Sequence, residues 1–176
     1  MAVDRFRDLV RDVPDFPEKG ITFKDITPLL GDPAAFEGAL TAIAAPFTED
    51  GITAVVGIEA RGFIFGAPLA SRLGASFVPV RKPGKLPWRV QRQEYALEYG
   101  SDALEVHEDA IDPGDRVLVV DDVLATGGTA RAAIDLVKSQ GGDVAGLTVF
   151  IELSFLNARS KLADVMVHSV LHYDGS

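Results

Sequence analysis

The chain has no cysteine, one tryptophan, three histidines and no apolar run approaching the roughly 18 residues that a membrane helix needs. Without cysteine there is no disulfide framework, no thiolate zinc site and no cysteine nucleophile, and the expected location is the cytoplasm. The three histidines, His107, His168 and His172, fall on strand-like segments with no carboxylate at a ligand spacing, so they read as structural. The first ten residues, Met1-Ala-Val-Asp-Arg-Phe-Arg-Asp-Leu-Val10, intersperse charges and lack the apolar stretch of a secretory signal. Cations are scarce as well. Seventeen Lys and Arg against 26 Asp and Glu leave a net charge of −9, which repels nucleic acid and anionic membrane unless one patch runs against the average.

One patch does. Residues 81–92 hold five cations and no carboxylate, interrupted by Pro83, Gly84 and Pro87. Such a segment is expected to lack a helix or long strand of its own and to act as a flexible flap over about 81–107. The remainder is ordinary globular sequence, 176 residues with 47% hydrophobic and 24% charged, and reads as a single domain over 1–176.

Periodicity supplies the elements. Phe6, Leu9, Val10 and Val13 predict a helix over 4–13, followed by a loop over 14–24. Asp32-Pro33 reads as an N-cap with proline at the first helical position, and Phe36, Leu40, Ile43 and Phe47 mark the buried face behind it. Apolar strands are expected at 53–58, 76–80, 116–120, 144–153 and 165–173. Helices are expected at 61–73, ended by Gly74, and at 129–140, ended by Gly141. A hairpin with arms 94–99 and 103–107 interrupts the alternation. The fold class is therefore α/β, a mainly parallel central sheet with helices on both faces. Ligands of such sheets bind beyond the carboxyl ends of the strands. Three of those ends carry polar or glycine-rich sequence: Gly57-Ile-Glu-Ala-Arg-Gly62, Pro79-Val-Arg-Lys-Pro-Gly84 and Asp121-Asp-Val-Leu-Ala-Thr-Gly-Gly-Thr129. They should meet on one rim.

The third is the most informative. A buried strand brings Asp121 and Asp122 to its tip, and Ala125, Thr126, Gly127, Gly128 and Thr129 then turn into a helix. Backbone N–H groups and the helix dipole favour an anion there, and the glycines let it approach closely. Adjacent carboxylates suit vicinal hydroxyls, so the combination suits a sugar phosphate.

Val117-Leu-Val-Val-Asp-Asp-Val-Leu-Ala-Thr-Gly-Gly-Thr129 resembles the phosphoribosyl pyrophosphate (PRPP) motif of the type I phosphoribosyltransferases. Further stretches are similar to the members of that family that use adenine. These are Asp15-Phe-Pro-Glu-Lys-Gly-Ile-Thr-Phe-Lys-Asp-Ile-Thr-Pro-Leu-Leu30, Gly57-Ile-Glu-Ala-Arg-Gly-Phe63, Arg81-Lys-Pro-Gly-Lys-Leu-Pro87 and Glu94-Tyr-Ala-Leu-Glu-Tyr-Gly100. The resemblance implies the reaction of adenine with PRPP to give AMP and pyrophosphate. It also implies Mg2+ carried by PRPP with no protein metal site, a homodimer, and neither nucleic acid nor membrane as partner. It places PRPP or AMP on Asp121, Asp122, Ala125–Thr129, Arg61, Arg81 and Lys85. It places adenine between Phe23 and Leu153, read by the backbone of Thr22 to Lys24. Glu98 becomes the catalytic carboxylate, and Glu59-Ala60 a cis peptide beside the pyrophosphate. Two other readings stand beside this one: a related phosphoribosyltransferase for another base, and a PRPP-sensing regulator without turnover.

Overall fold

The computed structural model describes residues 3–97 and 99–175; Glu98, the candidate catalytic carboxylate, lies outside the described residues. The chain opens with α1 (Val3–Asp8), then β1 (Arg11–Pro14) and β2 (Thr22–Asp25), which pair antiparallel with Val13 opposite Phe23. The helix expected over 4–13 therefore stops five residues early, and the loop expected over 14–24 ends in a strand. Only Phe6 of α1 is buried, and six residues are too few for a helix to persist on its own hydrogen bonds. Residues 11–14 instead satisfy their backbone groups in a ladder with a partner ten residues away, which helical periodicity does not reveal.

Next come α2 (Thr27–Leu30) and α3 (Pro33–Ala44). The Asp32 carboxylate accepts hydrogen bonds from the Ala34 and Ala35 amides, both at 3.0 Å, and so caps α3 as its sequence suggests. Then follow β3 (Ala54–Ile58), α4 (Gly62–Leu73) and β4 (Ser76–Val80), with Gly74 left-handed at φ 65° after the helix. A hairpin of β5 (Val90–Ala96) and β6 (Ser101–His107) precedes β7 (Arg116–Leu124), α5 (Gly128–Ser139), β8 (Asp143–Leu153) and β9 (Val167–Tyr173). The cationic segment thus contains a strand, contrary to expectation. Val90 to Ala96 pair residue for residue with Ser101 to His107, and the buried side of β6 (Leu104, Val106) packs into the core beside α5. Proline and glycine break only the part before Val90.

Five parallel strands in the order β4-β3-β7-β8-β9 make the central sheet. One face packs Val56, Ile58, Val117, Val119 and Leu147 against Ala133, Ile134 and Val137 of α5. The other packs Val55, Leu118, Val120 and Phe150 against α1, α3 and α4 through Phe6, Ile43, Phe65 and Leu69. Among the described residues no helix is long and apolar enough to cross a membrane. The connection from β3 goes to β4 on one side, and that from β7 goes to β8 on the other. The strand order therefore reverses between β3 and β7, where α/β sheets open a crevice.

Strand β7 is four residues longer than expected. Its neighbour β8 runs to Leu153 and keeps pairing with it, Asp121 opposite Val149 and Leu124 opposite Glu152. The acid pair consequently lies within the strand rather than at its tip.

Candidate active site

The crevice between β3 and β7 is a cleft of about 260 Å³. Ile58, Glu59 and Arg61 line one wall, Asp121 to Gly127 and Thr129 the other, and Lys82 a third. The three polar strand ends do converge on one rim. The position of Gly62 shows how tightly: a Cβ there would fall 2.9 Å from the Val120 carbonyl oxygen and 3.1 Å from Asp121 Oδ1. Only glycine lets the start of α4 approach β7 so closely.

The two aspartates are not equivalent. Asp121 Oδ1 accepts the Asp122 amide at 2.8 Å. Burial, then the adjacent Asp122 charge, push the Asp121 carboxyl well above the usual aspartate range. Asp122 is buried, and its Oδ2 accepts no hydrogen bond from any described residue. Arg61 Nε lies 3.0 Å from that oxygen, outside hydrogen-bonding alignment. Asp122 Oδ2 thus has an ionic partner but no hydrogen bond, and a buried carboxylate oxygen in that state is costly unless a further donor reaches it.

Beyond the pair, Gly127 is left-handed at φ 84° and begins α5 with no side-chain cap, so the first amides of the helix are free for an anion. Ala125, Thr126 and Thr129 line the cleft with it.

Glu59 organises the cationic segment. Its side chain is buried and accepts the Lys82 amide at 2.7 Å, Arg81 Nε at 3.2 Å and the Lys85 ammonium. Burial raises its pKa, but the hydrogen bonds from Lys85 and Lys82 and the charges of Lys85 and Arg81 outweigh that and hold the carboxyl below its ordinary value. Lys82 reaches back to Asp102 and Tyr95 on the hairpin, and the Gly84 amide donates to buried Glu105 at 3.0 Å. Arg81 and Lys85 are thus held at the edge of the cleft through Glu59, while Lys82, which sequence reasoning missed, lines it. The Glu59-Ala60 peptide is cis.

Thr22, Phe23 and Lys24 lie on β2. Arg61, whose Nε faces Asp122, places its guanidinium carbon 4.8 Å from the Phe23 ring centroid, so one side chain joins this strand to the acid pair. The Lys24 side chain turns away. It is buried, with Nζ 2.6 Å from Asp12 and 4.3 Å from the Tyr173 ring centroid, and Tyr173 pairs across the sheet with half-buried Leu153. Among the described residues β2 has β1 as its one neighbour, so its other edge keeps free backbone donors and acceptors.

A family model described as phosphoribosyl transferase domain matches residues 32–170. An adenine phosphoribosyltransferase from Methylococcus capsulatus is 58% identical over 97% of this chain and all of its own length. The chain belongs to the adenine phosphoribosyltransferase family. Solved members of the family superpose throughout. That from Rhodothermus marinus has a TM-score of 0.94 at 55% identity, with 97% of this chain and 98% of that one covered. That from Saccharomyces cerevisiae, solved with adenine and an imino-altritol bisphosphate, has a TM-score of 0.91 at 40% identity, covering 96% and 98%. The fold and activity implied by the sequence resemblance are those of these relatives.

Proposed function

We propose that this protein transfers the 5-phosphoribosyl group of PRPP to adenine, releasing pyrophosphate and forming AMP. The observation that carries this reading is the cleft itself. One rim joins half-buried Asp121 and buried Asp122, the latter ion-paired with Arg61 but with an oxygen that accepts no hydrogen bond, a glycine-opened helix start, and that same arginine in contact with an aromatic ring on a strand with a free edge. Asp121 and Asp122 accept hydrogen bonds from the ribose hydroxyls. Residues 125–129 hold the 5-phosphate, and Arg61, Arg81 and Lys85 meet the pyrophosphate. Adenine lies between Phe23 and Leu153, with its edge on the backbone of Thr22 to Lys24. Breaking the C1–O bond leaves positive charge on the sugar and negative charge on pyrophosphate, so catalysis is chiefly positioning and electrostatics. The adenine imidazole loses a proton as its nitrogen bonds C1, and Glu98 takes it.

The acid pair also suits Mg2+ carried in by PRPP, since divalent magnesium is held by one or two carboxylates together with substrate phosphates. When bound it neutralises pyrophosphate. The segment 81–107 closes over the filled site and excludes water. A homodimer in the cytoplasm completes the reading, on the strength of the resemblance; light scattering of the purified chain checks the dimer.

The deciding assay follows PRPP consumption with each purine and pyrimidine base, with products separated by chromatography. AMP from adenine alone is expected, and turnover with another base but not adenine overturns the assignment. Phe23→Ala should raise KM for adenine, losing roughly 1–3 kcal/mol of stacking, and leave KM for PRPP nearly unchanged. A defect confined to PRPP makes Phe23 a packing residue. Glu98→Ala should lower kcat at least about tenfold with PRPP affinity retained, read by steady-state kinetics beside calorimetry.

A further inference from the structure

The phosphate-holding turn has a brace behind it. After β8 the chain forms a short 3-10 turn, Ala158–Lys161, whose first residue abuts Gly127: a Cβ on that glycine would lie 3.1 Å from both the carbonyl oxygen and the Cβ of Ala158. Lys161 extends its Nζ to 2.9 Å from the Thr126 carbonyl oxygen. With Tyr95, Ala96, Leu97 and Gly128 it lines a second recess, about 440 Å³, where the hairpin meets the turn. The segment carrying Lys161 is itself fixed on both sides. Arg159 grips buried Glu152 with two hydrogen bonds at 2.8 and 2.7 Å, and Asp164 accepts Arg131 Nη1 and Lys138 Nζ of α5, each at 2.7 Å.

We infer that Lys161 is a positioning residue for the sugar-phosphate end of the substrate, acting through the peptide between Thr126 and Gly127. In a trans peptide the carbonyl and the N–H point in opposite directions. Holding the Thr126 oxygen on Lys161 therefore fixes the direction of the Gly127 N–H. The cationic partner polarises the same peptide and makes that N–H a stronger donor to an anion. The ammonium also adds a positive charge beside a turn that has no cation of its own between Asp121 and Ala130. This rests on the reading that residues 125–129 hold the 5-phosphate.

The test compares Lys161→Met and Lys161→Arg with the parent protein. Calorimetry uses ribose 5-phosphate as the probe, and steady-state kinetics run in both directions. Lys161→Met should weaken ribose 5-phosphate and raise KM for PRPP and AMP about tenfold, while KM for adenine and for pyrophosphate stays within about twofold, and Lys161→Arg should restore most of the loss. Unchanged ribose 5-phosphate and PRPP binding overturns the inference. So does an equal loss for all four reactants, which marks general loosening of the fold. If the parent protein binds ribose 5-phosphate but makes no AMP, the functional reading fails while the calorimetric arm still decides the role of Lys161.

Discussion

Replacing Asp121 and Asp122 together by asparagine is expected to abolish useful PRPP binding while the protein stays folded and becomes no less stable. Each charge-assisted hydrogen bond to a ribose hydroxyl contributes about 1.5–3 kcal/mol. Losing two weakens PRPP by roughly 10²- to 10⁴-fold. Stability moves the other way because the free site is strained. Burial and the neighbouring charge raise the Asp121 carboxyl above its ordinary 3.8. A carboxyl raised in the folded state contributes stability below 3.8, and that contribution is lost as the pH rises through the folded value. At neutral pH the ionised Asp121 therefore opposes folding, and asparagine removes its repulsion with Asp122 at equal size, which offsets the lost ion pair between Asp122 and Arg61. Calorimetry with PRPP and thermal melts at pH 7 read the two effects. A folded double variant with unchanged PRPP affinity ends the ribose-grip proposal.

The second large effect is on stability. Arg159→Met should destabilise the fold by about 2–3 kcal/mol, below the usual figure for breaking a buried pair because Arg159 is half exposed. Glu152 is buried and accepts two bonds from Arg159 and a third from Ser169, so the substitution leaves a buried carboxylate with only the Ser169 hydroxyl and, 3.5 Å away, the His172 ring. In a chain of this length the melting temperature should fall by roughly 5–10 °C. The pH dependence identifies the cause. Burial tends to raise the Glu152 carboxyl, but hydrogen bonds from Arg159 and Ser169, with the Arg159 charge, hold it below its ordinary 4.5. A depressed carboxyl contributes stability above 4.5, lost as the pH falls through the folded value. Without Arg159 the hydrogen bond from Ser169 and the nearby His172 still favour the ionised form, but the largest favourable contribution is gone, so the variant loses less on acidification than the parent protein does. Urea unfolding at pH 7 and pH 4.5 should show the gap between the two narrowing. A gap that does not change with pH assigns the loss to packing alone.

The sequence by itself determined the α/β class, the three twelve-residue helices and the α3 cap at Asp32, because each is a local pattern, and the meeting of three strand ends followed from that class. Buried strands are short apolar runs, helices repeat every three or four residues, and an N-cap acts on amides two and three residues away. The Asp-Asp and Thr-Gly-Gly-Thr run was legible for the same reason: its amides and carboxylates are contiguous in the chain. Tertiary structure decided what depends on a partner distant in sequence. Residues 11–14 are a strand because β2 lies beside them, and β7 runs past its apolar stretch to Leu124 because β8 continues to pair with it. Glu59 gathers Arg81 and Lys85, Arg61 joins Phe23 to Asp122, and Lys161 reaches Thr126 across 35 positions. No spacing rule encodes these contacts. They exist because parallel strands deliver their ends to one rim, where charged side chains from separate loops come within hydrogen-bond distance of one another.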